Sequence, residues 1–175
     1  MKYVKEQKRL RKGTINMVNN SLRLLNSKLP IWVKKVSSNY GSILELQCGV
    51  LPFPDKKVTF SIFLYLCDWK IYQGTNILLT NNYRSYEKSR RIMVYLQDVG
   101  KKIVSIALCE PMQKFTIELE KQIMIEAYPN LKQYREKDDL VNFFIQGEQV
   151  LCYSPQEKFY FESNGNAWQG TQIEK

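Results

Sequence analysis

At 175 residues, 44% apolar and 25% charged, the chain has the size and balance of one globular domain able to bury a proper core. It contains no histidine, which excludes Ser-His-Asp and Cys-His catalysis, His-x-Glu zinc deaminases, H-E-x-x-H proteases and histidine-dependent nucleases. The formal charge of +9 sits in the first fifth: residues 1–35 hold ten Lys/Arg and one acid, and the other 140 hold 16 of each sign.

Residues 1–28 read as mostly helical, with Thr14 as a cap and Ile15, Val18, Leu22 and Leu25 on one face. Pro30 stops that helix. Strands follow at Ile31–Val36, Ser42–Gln47, Val58–Leu66, Trp69–Gln73 and Asn76–Leu79, separated by turn signals such as Pro52-Phe53-Pro54-Asp55 and Gln73-Gly74. A second helix is expected over Ser85–Val99, with Ile92, Leu96 and Val99 buried and Arg84, Lys88, Arg90 and Arg91 exposed. Further strands are expected at Lys102–Leu108, Lys114–Glu120, Gln122–Ala127, Val141–Gln146, Gln149–Tyr153 and Lys158–Glu162. Pro129–Asp139 reads as a surface loop and residues 163–175 as a flexible tail.

The expected class is therefore α+β: antiparallel sheet with a long basic N-terminal helix over 1–30 and a central helix over 84–100. A first β-meander spans 31–83 and a second 101–162. Ile43–Leu46 aligns with Thr116–Leu119 at an offset of 73, as does Gln73-Gly74 with Gln146-Gly147 and Ile77-Leu78 with Val150-Leu151. If these matches reflect duplication, the chain is two helix-plus-meander halves side by side; if hairpins merely reuse turn chemistry, the class is unchanged.

Cys48, Cys67, Cys109 and Cys152 form no C-x-x-C pair and each lies in or beside a strand-like run, so buried free thiols in a reducing cytoplasm are expected. No apolar run reaches the roughly 18–20 residues of a membrane span, and the basic N-terminus lacks the apolar stretch of a secretory signal.

Two constellations stand out. The cluster Lys5, Lys8, Arg9, Arg11 and Lys12 suits the acidic surface of a protein partner, or a phosphate backbone, or is simply a solvated face. Pro54-Asp55 followed by Asp68-x-Lys70 is similar to the pattern of metal-dependent nucleases, in which two carboxylates hold Mg²⁺ and the lysine assists water or phosphate. Its bland alternative is a turn at Asp55, with Asp68 and Lys70 flanking a buried Trp69 on a strand's solvent face. Phe143, Phe144, Tyr153, Phe159, Tyr160 and Phe161 are expected to be core first, with alternation turning some of them outward.

The order Gly41–Leu46, Cys67-Asp68-Trp69-Lys70-Ile71, helix, Gly100–Ile103, Phe115–Leu119, Val150-Leu151 and Phe159–Glu162 resembles small uncharacterised bacterial proteins that are similar to immunity proteins of toxin systems. The likeness spans residues 31–162 and brings no active site with it. It implies a cytoplasmic, non-enzymatic protein that occludes a partner such as a toxin, without cofactor or metal. A nucleic-acid binder, or a Mg²⁺ nuclease using Asp55, Asp68 and Lys70, is the rival expectation.

Overall fold

The computed structural model describes residues 18–39, 43–49, 59–82, 85–99, 101–109, 112–130, 139–145 and 150–162. The first helix, α1, covers residues 18–26. The helix expected over 1–30 stops at residue 26, short of Pro30; residues 1–17 lie outside the described residues. Val18 and Leu25 are buried on its inner face. The helix ends four residues before Pro30, where Lys28 and Leu29 tighten into three-residue turns on Leu25 and Asn26. The second helix, α2, is Tyr86–Val99. It buries Met93 and Leu96, leaves Ile92 and Val99 half-buried, and exposes Lys88, Arg90 and Arg91.

Eleven strands are described: β1 Ile31–Asn39, β2 Ile43–Gly49, β3 Phe60–Leu64, β4 Cys67–Gln73, β5 Asn76–Thr80, β6 Lys102–Cys109, β7 Lys114–Leu119, β8 Ile123–Pro129, β9 Val141–Ile145, β10 Leu151–Ser154 and β11 Lys158–Phe161. They form one sheet in the order β11-β10-β9-β3-β2-β1-β6-β7-β8-β4-β5, with every described ladder antiparallel. The class is α+β, mainly β. No described helix is long and apolar enough to cross a membrane.

The sheet curls until its two wings face each other. Phe115 on β7 and Phe143 on β9 are five ladder steps apart, which in a flat sheet would separate them by roughly 24 Å. Their rings lie 6.0 Å apart. Phe115 also meets Tyr153 edge-on at 4.9 Å, and Tyr153 meets Phe159 at 5.1 Å. Period-2 alternation sends Cys67, Trp69 and Ile71 of β4 and Val141, Phe143 and Ile145 of β9 inward, while Asp68, Lys70, Tyr72, Asn142 and Phe144 point out.

The order is symmetric about β1 and β6. Outward from β1, one row of paired inward residues runs Val36, Leu46, Ile62, Phe143, Leu151. Outward from β6 runs its counterpart: Ile106, Ile117, Ile125, Ile71, Leu79. At the centre Trp32 pairs with Lys102, whose ammonium stands 4.4 Å from the indole centroid. The helices obey the same dyad: Asn26 of α1 bonds to the Ile106 backbone on β6, and Gln97 of α2 donates to the Val36 carbonyl on β1. Leu25 and Leu96, the residues preceding these amides, are both fully buried. The hairpins are crossed: β4–β5 attaches to β8, and β9–β10 attaches to β3.

Candidate functional site

Lys5, Lys8, Arg9, Arg11, Lys12 and Asp55 lie outside the described residues. Asp68 and Lys70 are described, on either side of the buried Trp69. Asp68 is committed to the fold. Its Oδ1 accepts from Asn81 Nδ2 at 2.8 Å and Asn130 Nδ2 at 2.9 Å, tying the residues after β5 and β8 to the start of β4. Lys70 stands over the Tyr128 ring, 5.7 Å from its centroid, and a hydrogen bond to Tyr128 holds its ammonium above the usual lysine range. Among the described residues no three Cys, Asp or Glu side chains form a metal-binding group.

Around Lys70, the outward face of β4, β8 and β7 makes a patch. Lys70 is paired with Glu126 and Glu126 with Thr116; Tyr72 is paired with Met124. Lys114 Nζ reaches Glu126 Oε1 at 2.6 Å, and that bond raises its affinity for its proton. Burial, then the charge of Glu126, pushes the Tyr72 phenol up. Tyr72, Met124 and Tyr128 are half-buried with their side chains turned away from the core. This mixture of flat aromatic and thioether surface with paired charges suits protein recognition.

The outward face of the other wing holds a polar cluster. Glu45 is only 9% exposed and accepts from Ser37 Oγ at 3.0 Å and Gln47 Nε2 at 2.5 Å. Asp139 accepts from the Tyr160 hydroxyl. Burial raises the Tyr65 phenol, and the charges of Glu45, Asp139 and Cys152 raise it further. Burial and then Asp139 push the Cys152 thiol up to about 12. Tyr160 and Cys152 hydrogen-bond to Asp139, and the raised thiol keeps its proton, so the cluster offers no thiolate nucleophile. No sequence signal could have found it, because Glu45, Asp139 and Tyr160 come from segments far apart in the chain.

The described clefts are small. One of about 230 Å³ lies between α1 and β10–β11, lined by Asn20, Ser21, Leu24, Leu151, Phe159 and Phe161 among others. Another, about 350 Å³, runs along α2 beside Glu87, Arg90, Arg91 and Val94. Neither gathers a nucleophile with a base, nor paired carboxylates. Comparison with protein families, curated proteins and solved structures finds no match to this chain.

Proposed function

We propose that the chain is a cytoplasmic, non-enzymatic protein-binding module of the inhibitor or immunity kind, occluding a partner such as a toxin. The observation that carries this reading is the outward patch of Lys70, Tyr72, Met124, Glu126 and Tyr128. Amphipathic side chains there are held by their neighbours on a stiff sheet, so ordering them on contact costs little. The basic residues Lys5, Lys8, Arg9, Arg11 and Lys12 supply a second contact element for an acidic partner surface. The free cysteines, three of them buried, fit a reducing compartment. In this reading the chain is also a duplicated helix-and-five-strand unit whose terminal hairpins are exchanged across the dyad.

Pull-down from the native host tests it, using the full chain, a chain lacking residues 1–12, and a chain carrying Tyr72→Ala with Tyr128→Ala. A partner captured by the full chain and lost with the tyrosine variant supports the patch. Retention after deletion of 1–12 removes the basic arm from the account. Mg²⁺-dependent cleavage of plasmid DNA that disappears in Asp68→Ala would overturn the non-enzymatic reading in favour of a nuclease.

A further inference from the structure

The dyad makes the two ends of the sheet comparable, and they differ by one strand. On the left, the inward row continues past Leu151 to Phe161 of β11, and Cys152 pairs with Tyr160. On the right, the counterparts of Leu151 and Cys152 are Leu79 and Thr80 of β5, as the ladders Phe143–Leu151 against Ile71–Leu79 and Asn142–Cys152 against Lys70–Thr80 establish. Among the described residues no strand pairs with the outer edge of β5.

That edge carries the marks of an acceptor. The Asn81 amide donates to the Trp69 carbonyl at 3.1 Å, and in an antiparallel ladder bonded and non-bonded pairs alternate. Thr80, next in register and facing Lys70, therefore turns its N–H and C=O away from β4. Ile77 of the same strand is 56% exposed, and β5 lacks the lysine or proline that edge strands commonly use against pairing.

The dyad also shows what a strand seated there would meet. β11 lies against Asn20, Ser21 and Leu24 of α1, which line a cleft with Phe159, Tyr160 and Phe161. The spacing that equates Asn26 with Gln97 places Arg91, Ile92 and Tyr95 of α2 at those positions. Tyr95 is already beside the β4–β5 hairpin, its hydroxyl donating to Gln73 Oε1 at 2.9 Å. Arg90 and Arg91, with Val94 at 48% exposure and one acid, Glu87, line the groove on α2. Where one wing meets its outermost strand with neutral Asn20, the other has the Arg91 guanidinium, with Arg90 beside it in the same groove.

We propose that the open edge of β5 accepts an extended acidic segment of a partner protein as a twelfth strand, antiparallel to β5 and flanked by Arg90 and Arg91. Main-chain hydrogen bonds hold the segment, and its carboxylates pair with the arginines. The site adjoins β4 and so deepens the protein-binding reading above, on which it rests.

The test uses the full chain and two labelled eight-residue peptides, one alternating glutamate with valine and tyrosine, the other carrying lysine in place of glutamate. Fluorescence anisotropy gives the affinities, and amide spectra of the protein locate the binding. The expected result is that the acidic peptide binds at least tenfold tighter than the lysine peptide and shifts the amides of Ile77 and Thr80. Thr80→Pro and, independently, Arg90→Glu with Arg91→Glu each weaken binding at least fivefold while the melting temperature holds; the arginine pair is exposed, so the second variant reports even if the first misfolds. Equal binding of both peptides, shifts confined elsewhere, or a Thr80 amide already protected from exchange in the free protein overturns the proposal. A partner captured by pull-down that still binds both edge variants removes strand addition but leaves the protein-binding function standing.

Discussion

Asn26 and Ile106 are joined twice: the Asn26 amide donates to the Ile106 carbonyl at 2.8 Å, and the Ile106 N–H donates back to Asn26 Oδ1 at 3.0 Å. One side chain at the end of α1 thus satisfies both backbone groups of a residue on the central strand β6. Its dyad mate makes a single bond of 3.3 Å from Gln97 to Val36. Asn26→Ala therefore strands a part-buried donor and an acceptor and is expected to cost about 2 kcal/mol. Gln97→Ala should cost about 0.5 kcal/mol. Urea unfolding of the two variants checks the ranking, and equal losses would show that the double bond adds nothing.

Asp68 is expected to behave as a fastener. Asp68→Ala removes the acceptor shared by Asn81 and Asn130 and should lower stability by about 1.5 kcal/mol. Asp68→Asn keeps an acceptor oxygen and should recover most of that loss. Adding Mg²⁺ should leave the melting temperature unchanged in the wild-type chain. A Mg²⁺-dependent rise that vanishes in Asp68→Ala would instead assign the carboxylate to a metal.

The hairpin joining β7 to β8 turns through Lys121 and Gln122, whose φ values of 61° and 58° are those of a type I′ turn. Side chains with a Cβ carry strain in that region, about 1 kcal/mol per residue. Replacing the pair by Asn-Gly should therefore raise stability by about 1 kcal/mol, provided the Gln122 carbonyl still accepts from the Gly74 N–H, now at 3.0 Å. Thermal unfolding of the double variant reads this directly. The Gly74 turn, with φ 57°, needs no such change.

That hairpin shows where sequence reading stops. The Gln73-Gly74 turn was legible because glycine announces a positive φ, whereas Lys121-Gln122 carries no such mark even though the strands beside it alternate clearly. The strands themselves were legible to within a few residues, since one face of each is buried and period 2 follows. The end of the helix expected over 1–30 was not, because Asn26 and Ser27 close it at residue 26 through contacts with β6 and with Leu24, partners that helical periodicity does not encode. Ile43–Leu46 and Thr116–Leu119 fall on β2 and β7, strands that the ladders equate, but at 73 rather than the 71 residues separating Leu46 from Ile117. An error of two keeps every side chain on its face, so hydrophobic pattern could not correct it. Gln146-Gly147 lies outside the described residues. Crossing of the hairpins was illegible for a related reason: β3 and β8 have equally apolar inward faces and would accept either one. At Asp68 the bland alternative already placed the carboxylate beside a buried Trp69, but its two asparagine partners come from distant turns.

The thiols give the last prediction, a pH dependence with a definite sign. Burial raises Cys48, Cys67 and Cys152 above the ordinary 9.0, the last to about 12. In the unfolded chain these groups release their protons near pH 9.0, while the folded chain holds them. A raised folded value means the associated stability is complete below pH 9.0 and declines as pH climbs toward the folded value. Burial acts on the Tyr65 and Tyr160 phenols in the same direction. Guanidinium unfolding midpoints should therefore be level from pH 7 to 8.5 and fall steadily from about pH 9 upward. Replacing Cys48, Cys67 and Cys152 by alanine lowers overall stability through lost packing, so the slope above pH 9, not the midpoint, is the readout, and it should become shallower. A triple variant with an unchanged slope would place the alkaline sensitivity on the tyrosines alone. Half-buried Cys109 supplies an internal control: with a thiol-reactive dye at pH 8 it should label first, and the other three only as the chain unfolds.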